Sequence, residues 1–185
     1  MVFSPFVPRV LGTRQRLEQL RNPEVREQMG ALFKSILSAE APIEVHRFTR
    51  LVAFSFGLER LREQRHKDLL AMVNPKLIEQ TELGDFIWLT SRHSADYVTY
   101  RRSSTEQRDL AEVSTVELMN GLEDVLLMAG SLTKDEAIRE VAVMFGVERL
   151  TAGVRQHLEK LVDITVANTR VRVADGRLFP VSTSA

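Results

Sequence analysis

A short string of residues that occurs twice constrains this chain more than any other feature. Phe56-Gly57-Leu58-Glu59-Arg60-Leu61 recurs as Phe145-Gly146-Val147-Glu148-Arg149-Leu150, 89 positions (146 − 57) further on. The correspondence extends to both sides without a gap. It pairs Ile43 with Leu132, Arg50 with Arg139, Val52 with Val141, Ala53 with Ala142, Leu69 with Leu158, Met72 with Leu161 and Val73 with Val162. Similarity at a fixed offset indicates repeated structural units, so we predict two copies of one fold that arose by internal duplication.

The first copy contains signals for three helices and a hairpin. Asn22-Pro23 is a typical helix start, with a capping Asn and Pro at the first helical position. Ala41-Pro42 ends this helix, because the residue before proline disfavours helical conformation. Gly57 ends a second helix, and a third is predicted from about Leu61 to Val73. Two short strands, 77–80 and 85–89, are then predicted around a turn at Gly84.

The second copy repeats this order with clearer signals. Ser114 with Glu117, and Thr133 with Glu136, form capping-box patterns that begin the first two helices. A third apolar stripe runs from Leu150 to Val162 at helical spacing. Residues 170–173 and 177–181 flank Asp175-Gly176, a strong hairpin signal.

Three helices followed by a hairpin is the winged-helix order, in which the second and third helices form a helix-turn-helix. We therefore predict an α+β fold, mainly α with small β-hairpins, made of two tandem winged-helix-like modules. The expected divisions are an N-terminal arm (1–21), module 1 (22–90), a polar linker (91–113) and module 2 (114–185). The arm either packs on module 1 or is partly disordered.

One substitution between the copies bears on how module 1 packs. Arg65 stands where the second copy has Val154, which interrupts the apolar stripe of the third helix. Either Arg65 lies across the core with its head group in solvent, or module 1 packs differently.

Composition and missing motifs argue against several classes of protein. The 185 residues include no cysteine, and His46, His66, His93 and His157 are not at ligand spacing, so we expect no zinc site. Phosphate-loop, His-Glu-x-x-His and Gly-x-Ser-x-Gly motifs are absent from the sequence, so we expect neither an enzyme nor a cofactor. Without a signal peptide or a long apolar run, a soluble cytoplasmic protein that does not engage a membrane is predicted.

Several blocks of the sequence resemble one known family. These are Glu40-Ala41-Pro42-Ile43, Phe56-Gly57-Leu58-Glu59-Arg60 and Gly84-Asp85-Phe86-Ile87-Trp88, with Val7-Pro8-Arg9-Val10-Leu11-Gly12 before them and Leu132-Thr133-Lys134-Asp135-Glu136 and Phe145-Gly146-Val147-Glu148-Arg149 after them. They resemble the domain of unknown function at the C-terminal end of large bacterial superfamily-one helicase-like proteins. The resemblance implies an accessory piece, or a free-standing relative, of a system that acts in defence against foreign DNA. It implies the helicase/ATPase portion of the same or another chain as a partner, and the missing motor indicates an excised domain.

Candidate nucleic-acid contacts are basic residues near the predicted third helices and the second hairpin. They are Arg60, Arg62, Arg65 and Lys67 in the first copy, Arg149, Arg155 and Lys160 in the second, and Arg170, Arg172 and Arg177 on the hairpin. In a helix-turn-helix the start of this helix meets the groove of DNA, where arginine binds phosphate or guanine. For Arg60 and Arg149, each preceded by Glu, a salt-bridged turn is equally favoured. Trp88 is expected in the core or at the wing base and not as a stacking platform.

Two functions remain open at this point. The chain carries 25 basic and 25 acidic residues, which argues against general coating of phosphate but allows a local basic face. The first function is an accessory module that binds DNA with little preference for base sequence. The amino-acid sequence does not distinguish DNA from RNA as the ligand. The alternative is a protein-docking or homodimerisation module that uses apolar residues left over from the core, such as Phe3, Phe6, Val7 and Phe54.

Overall fold

The computed structural model describes residues 1–91, 94, 96–103 and 107–181. Over these residues the protein is α+β, with six α-helices and two small three-stranded sheets. The chain forms two compact units. The N-terminal unit comprises Ser4–Thr81 and Asp85–Ala95, and the C-terminal unit comprises Met1–Phe3, Glu82–Gly84 and Asp96–Ala185. Within the described ranges, every helix is too short or too polar to cross a membrane.

The N-terminal unit contains three helices and a sheet. Its elements are α1 (Pro23–Glu40), β1 (Ile43–Glu44), α2 (Val45–Phe54), α3 (Glu63–Leu70), β2 (Ile78–Thr81) and β3 (Gly84–Ile87). The sheet order is β1-β3-β2, with β1 antiparallel to β3 and Ile43 opposite Ile87. A 3₁₀ turn at Arg14–Glu18 precedes α1. The strand before the second helix is thus joined to the hairpin that follows the third.

The predicted ends of α1 and α2 are confirmed. The Asn22 side chain accepts a hydrogen bond from the Glu24 N–H (2.9 Å), and α1 ends two residues before Pro42. Gly57 follows α2 with a φ of +71°, a conformation that favours glycine. The third helix is shorter than predicted, because its last turn tightens into i to i+3 bonds from Met72 and Val73 before Pro75.

The Arg65 side chain lies between the core and solvent, against the 3₁₀ turn that precedes α1. Leu17, on the 3₁₀ turn, is 1% exposed and belongs to the core with Phe48 and Phe56. The Arg65 guanidinium donates to the Leu17 carbonyl, and the Arg65 side chain is only 25% exposed. The 3₁₀ turn therefore covers the position that the apolar stripe leaves open, which is the different packing that the sequence left as one alternative.

The C-terminal unit has the same order of elements. They are α4 (Thr115–Ala129), β4 (Leu132–Thr133), α5 (Lys134–Met144), α6 (Ala152–Ala167), β5 (Val171–Ala174) and β6 (Arg177–Pro180), in a sheet of order β4-β6-β5. A 3₁₀ turn at Leu110–Glu112 precedes α4. Asp175 and Gly176 both have positive φ (50° and 71°), as a two-residue hairpin turn requires. The predicted hairpin is confirmed.

The two predicted capping boxes differ in outcome. Thr133 and Glu136 bond reciprocally: the Glu136 N–H donates to the Thr133 hydroxyl (3.3 Å), and the Thr133 N–H donates to the Glu136 carboxylate (2.8 Å). At Ser114 the hydroxyl accepts from the Glu117 N–H (3.4 Å) and donates to the Glu117 carboxylate (3.0 Å), whose other donors are Arg101 and Arg108. The second pattern thus begins α4 without forming the full box.

Those arginines lie in the segment predicted to be a polar linker. Arg101 and Arg108 approach the fully buried Glu117 carboxylate at 2.8 and 3.2 Å, and the Arg108 guanidinium lies 4.2 Å from the centre of the Phe3 ring. Leu110 and Val113 join the core of the C-terminal unit. This stretch is polar in composition, but its arginines are paired with a buried acid and it packs as part of the C-terminal unit.

Candidate nucleic-acid interface

A groove rich in arginine lies beside the turn between α2 and α3. We call it the arginine groove; it has a volume of about 520 Å³ and is lined by Arg14, Leu58, Arg60, Leu61, Arg62 and Arg65. Gly57 turns the chain after α2, so that residues 58–62 lead into the first turn of α3. The 3₁₀ turn supplies Arg14 from the other side. Four guanidinium groups from three segments of chain therefore surround one volume.

These guanidinium groups differ in their partners. Glu18 lies 3.8 Å from Arg14 and 4.0 Å from Arg65. The side chains of Arg60 and Arg62 are exposed and, among the described residues, have neither an ion pair nor a hydrogen bond. Lys67 is paired with Glu63 at 3.6 Å across the exposed surface of α3, a kind of contact worth little. Arg60 and Arg62 thus have all their guanidinium donors available to an anion that enters the groove.

A second groove occupies the corresponding place in the C-terminal unit. We call it the histidine groove; its volume is about 530 Å³ and its lining is Asp109, Leu110, Ala111, Val147, Glu148, Arg149, Gly153, Val154 and His157. Val147, Arg149 and Val154 stand 89 positions after Leu58, Arg60 and Arg65, and a residue of the preceding 3₁₀ turn, Leu110, also lines it. Apolar groups and two carboxylates here replace most of the guanidinium groups.

His157 is the unusual member of this lining. Its Nε2 atom is buried and has no hydrogen-bond partner within the described part of the chain. Burial, and then the nearby Lys160 charge, lower the pKa of His157 below its ordinary value. The imidazole is therefore neutral at pH 7 and adds no positive charge to this groove.

Four of the basic residues predicted to contact nucleic acid have structural partners in the C-terminal unit. Arg155 is 2.6 Å from Asp135, and Lys160 is 3.5 Å from Glu82. Arg170 donates to Asn120 (2.6 Å) and Glu123 (2.8 Å), and Arg177 to Ser131 (3.0 Å). Arg65 is engaged in the same way in the N-terminal unit. The structure thus leaves Arg60, Arg62, Arg149 and Arg172 exposed and, within the described ranges, without an ion pair, with the Arg172 guanidinium 4.6 Å from the Phe179 ring centre. Lys67, like Lys160, is exposed but lies beside an acid.

The apolar residues singled out from the sequence do not form one surface. Phe3 is only 2% exposed, beneath Arg108, so its expected place in a docking surface is wrong. Val7 and Phe54 are exposed, whereas Phe6 is half-buried against the core. Trp88 is buried, as expected, and its indole N–H donates to Glu79 (2.8 Å).

Arg14 is the basic residue of the groove that the sequence did not predict, and Leu58 and Leu61 are its apolar ones. Arg14 lies 46 residues (60 − 14) before Arg60, and only the packing of the 3₁₀ turn brings the two together. The described residues contain no group of three or more His, Cys, Asp or Glu side chains that could bind a metal ion, while His93 lies outside them. Comparisons with protein-family models, with curated proteins and with solved structures find no match.

Proposed function

We propose that this chain is a non-catalytic nucleic-acid-binding accessory module, built from two winged-helix-like units related by internal duplication. In this proposal it acts on DNA in the bacterial cytoplasm, as part of a helicase-like, defence-related system. The observation that carries the proposal is the arginine groove at the start of α3. The helicase context has its support in the sequence resemblance.

The backbone supports the duplication. β1, α2 and α3 begin at Ile43, Val45 and Glu63, and β4, α5 and α6 each begin 89 positions later. Gly57 and Gly146 have nearly the same φ, +71° and +73°. In both units the strand before the second helix pairs with the last strand, so the sheet orders correspond. Two unrelated chains have no physical reason to agree at all of these positions.

The start of α3 suits a phosphate backbone. Arg62 is the N-cap residue of α3, so its positive charge belongs to the residue at the positive end of the helix dipole. Arg60, Arg62 and Lys67 are exposed charges, and such charges bind phosphate without regard to sequence. Binding is therefore expected to depend steeply on salt and weakly on base sequence.

The test is binding of labelled random-sequence DNA, duplex and single-stranded, across a salt series. Arg62→Glu with Lys67→Glu reverses two charges at α3, whereas Arg26→Glu with Lys34→Glu makes the same change on exposed positions of α1. The α3 variant should lose about tenfold or more in affinity, and the α1 variant little. Thermal melts of both variants establish that they are folded.

Two outcomes would overturn the proposal. Absence of binding by the unmodified chain at low salt would remove nucleic acid as a ligand. Equal losses in the α3 and α1 variants would show an effect of net charge and no contact at α3.

A second function, protein docking or homodimerisation, is favoured by a separate apolar groove in the N-terminal unit. It measures about 510 Å³ and is lined by Phe6, Val7, Arg9, Leu11, Gln28, Ala31, Leu32 and Ser35. Val7 in this groove is 75% exposed. Clustered apolar side chains that are exposed in a single chain often mark a surface that a partner covers. Sedimentation velocity over a range of concentrations tests the dimer, which Val7→Glu should dissociate.

A further inference from the structure

We infer that the arginine groove takes one unpaired nucleotide of a single strand, with its phosphate on the guanidinium groups and its base against Leu58 and Leu61. This inference rests on the proposed function, and it names the part of the nucleic acid that the groove selects.

The size of the groove is the first argument. Its volume of about 520 Å³ lies within the range of roughly 300–1,000 Å³ that is typical of small-ligand sites. A duplex presents its phosphates on a wide convex surface, which exposed arginines contact without any groove. A concave site of this size admits a single nucleotide unit.

The arrangement of the arginines is the second argument. Arg65 is fixed by the Leu17 carbonyl and lies 4.0 Å from Glu18, and Glu18 also approaches Arg14. The Arg65 guanidinium is therefore positioned before a ligand binds, whereas the contact of the exposed Arg14 with Glu18 is weak and Arg60 and Arg62 retain all their side-chain donors. Guanidinium groups bind phosphate oxygens through paired hydrogen bonds, and their planar faces stack on bases.

The two leucines are the third argument. Leu58 and Leu61 pack against the core but are only partly buried, so that each presents apolar surface to the groove. A site for phosphate alone has no use for an apolar wall, whereas the face of a nucleobase does. In a duplex that face is covered by stacking, so the combination of guanidinium and leucine surfaces selects single strands.

The histidine groove offers an internal contrast. Thr151 stands 89 positions after Arg62 and Val154 stands 89 after Arg65, so that the second groove lacks the matching cations. Its lining includes Asp109 and Glu148, which repel phosphate. Nucleotide binding by the chain is thus assigned to the N-terminal unit alone.

The experiment compares three labelled ligands on the full chain by fluorescence anisotropy. They are a thymidine oligonucleotide of about ten residues, an abasic deoxyribose-phosphate strand of the same length, and a duplex. A uridine oligonucleotide of the same length is measured in addition, to compare RNA with DNA. We expect the thymidine strand to bind about tenfold tighter than the abasic strand, because only the former supplies a base.

Two variants separate the phosphate contact from the base contact. Arg14→Ala should weaken single-strand binding about tenfold and duplex binding little, since Arg14 lines the groove and lies outside α3. Leu58→Ala should lower the preference for thymidine over abasic strands while leaving abasic binding unchanged. Arg26→Ala, an exposed arginine of α1, is the control and should change neither.

The outcomes distinguish this inference from the proposed function. Equal binding of thymidine and abasic strands, or equal losses on single strand and duplex after Arg14→Ala, would overturn the inference while general nucleic-acid binding still stood. Absence of binding to every ligand would overturn both. Tighter binding of the thymidine strand with the two selective losses would support both.

Discussion

The turns between the second and third helices of the two units share a backbone and differ in surface chemistry. Phe56 and Phe145 are both fully buried, and Gly57 and Gly146 both turn the chain with positive φ. Around them, Arg62 and Arg65 in one unit correspond to Thr151 and Val154 in the other. Residues that direct the backbone are therefore shared, whereas several residues that line the grooves differ, although Arg60 and Arg149 correspond.

The buried ion pairs of the two units also differ. In the N-terminal unit Arg47 donates to Glu40 through two bonds, of 2.6 and 3.0 Å. In the C-terminal unit Glu117 bonds Arg101 and Arg108. Ala129 stands 89 positions after Glu40, and Gln28 stands 89 before Glu117, so neither pair has a counterpart. Each unit therefore has a buried ion pair of its own, and the repeated sequence does not predict either pair.

The largest effect is expected from the unshared pair at Glu117. Glu117→Ala leaves buried guanidinium groups without their carboxylate, which should lower the free energy of unfolding by about 3–5 kcal/mol. Gln28→Ala, the corresponding change in the N-terminal unit, removes an exposed bond to the Leu11 carbonyl (3.2 Å) and should cost no more than about 1 kcal/mol. Denaturant unfolding of both variants measures the difference, and equal costs would contradict the proposed asymmetry.

Intermediate effects are expected from the shared glycines. Gly57→Ala and Gly146→Ala each force a side chain into the left-handed region and should each cost about 1–2 kcal/mol. Gly153→Ala is the control, because a Cβ there meets no atom within 4 Å and φ lies outside the left-handed region; it should stabilise α6 by up to about 1 kcal/mol. A cost at only one of the two turns would break their equivalence.

The sequence predicts the backbone of each unit better than the residues available for binding. Asn22, Thr133 with Glu136, and Asp175-Gly176 act on their near neighbours, so their effect can be inferred locally. By contrast, Arg155 and Arg62 are equally basic in sequence, but among the residues that the structure describes only Arg155 has an acid, Asp135, within ion-pair distance. Contacts between distant segments, such as Arg14 at the groove, depend on the packing of the 3₁₀ turn, which no local pattern revealed.

The contact between the second and third helices should depend on pH in the N-terminal unit and much less in the C-terminal unit. In the N-terminal unit His66 of α3 stacks on His46 of α2, with 4.0 Å between ring centres, and its Nδ1 lies 2.7 Å from the Thr49 hydroxyl. The corresponding positions of the C-terminal unit, 89 residues later, are Asp135 and Arg155, which form an ion pair at 2.6 Å. The same helix contact is thus made by two imidazoles in one unit and by opposite charges in the other.

Burial, and then the charge of His46, lower the pKa of His66 below 6.5, against the opposing influence of Glu63 and Glu44. The unfolded chain therefore binds the proton more readily, and the contribution of neutral His66 to stability is lost as the pH falls below about 6.5. The hydrogen bond from Arg155 lowers the pKa of Asp135 below 3.8, so the contact in the C-terminal unit persists until far lower pH.

Hydrogen exchange, corrected for its intrinsic pH dependence, should show this difference as the smallest of the three effects. Between about pH 7.5 and pH 5.5, a range in which histidine titrates, we expect the amides of α3 to lose protection while those of α6 do not. His66→Gln should remove the pH dependence in α3, because glutamine retains a polar side chain but does not titrate. Parallel loss of protection in α3 and α6, or an undiminished pH dependence in the variant, would show that the imidazole pair does not control this contact.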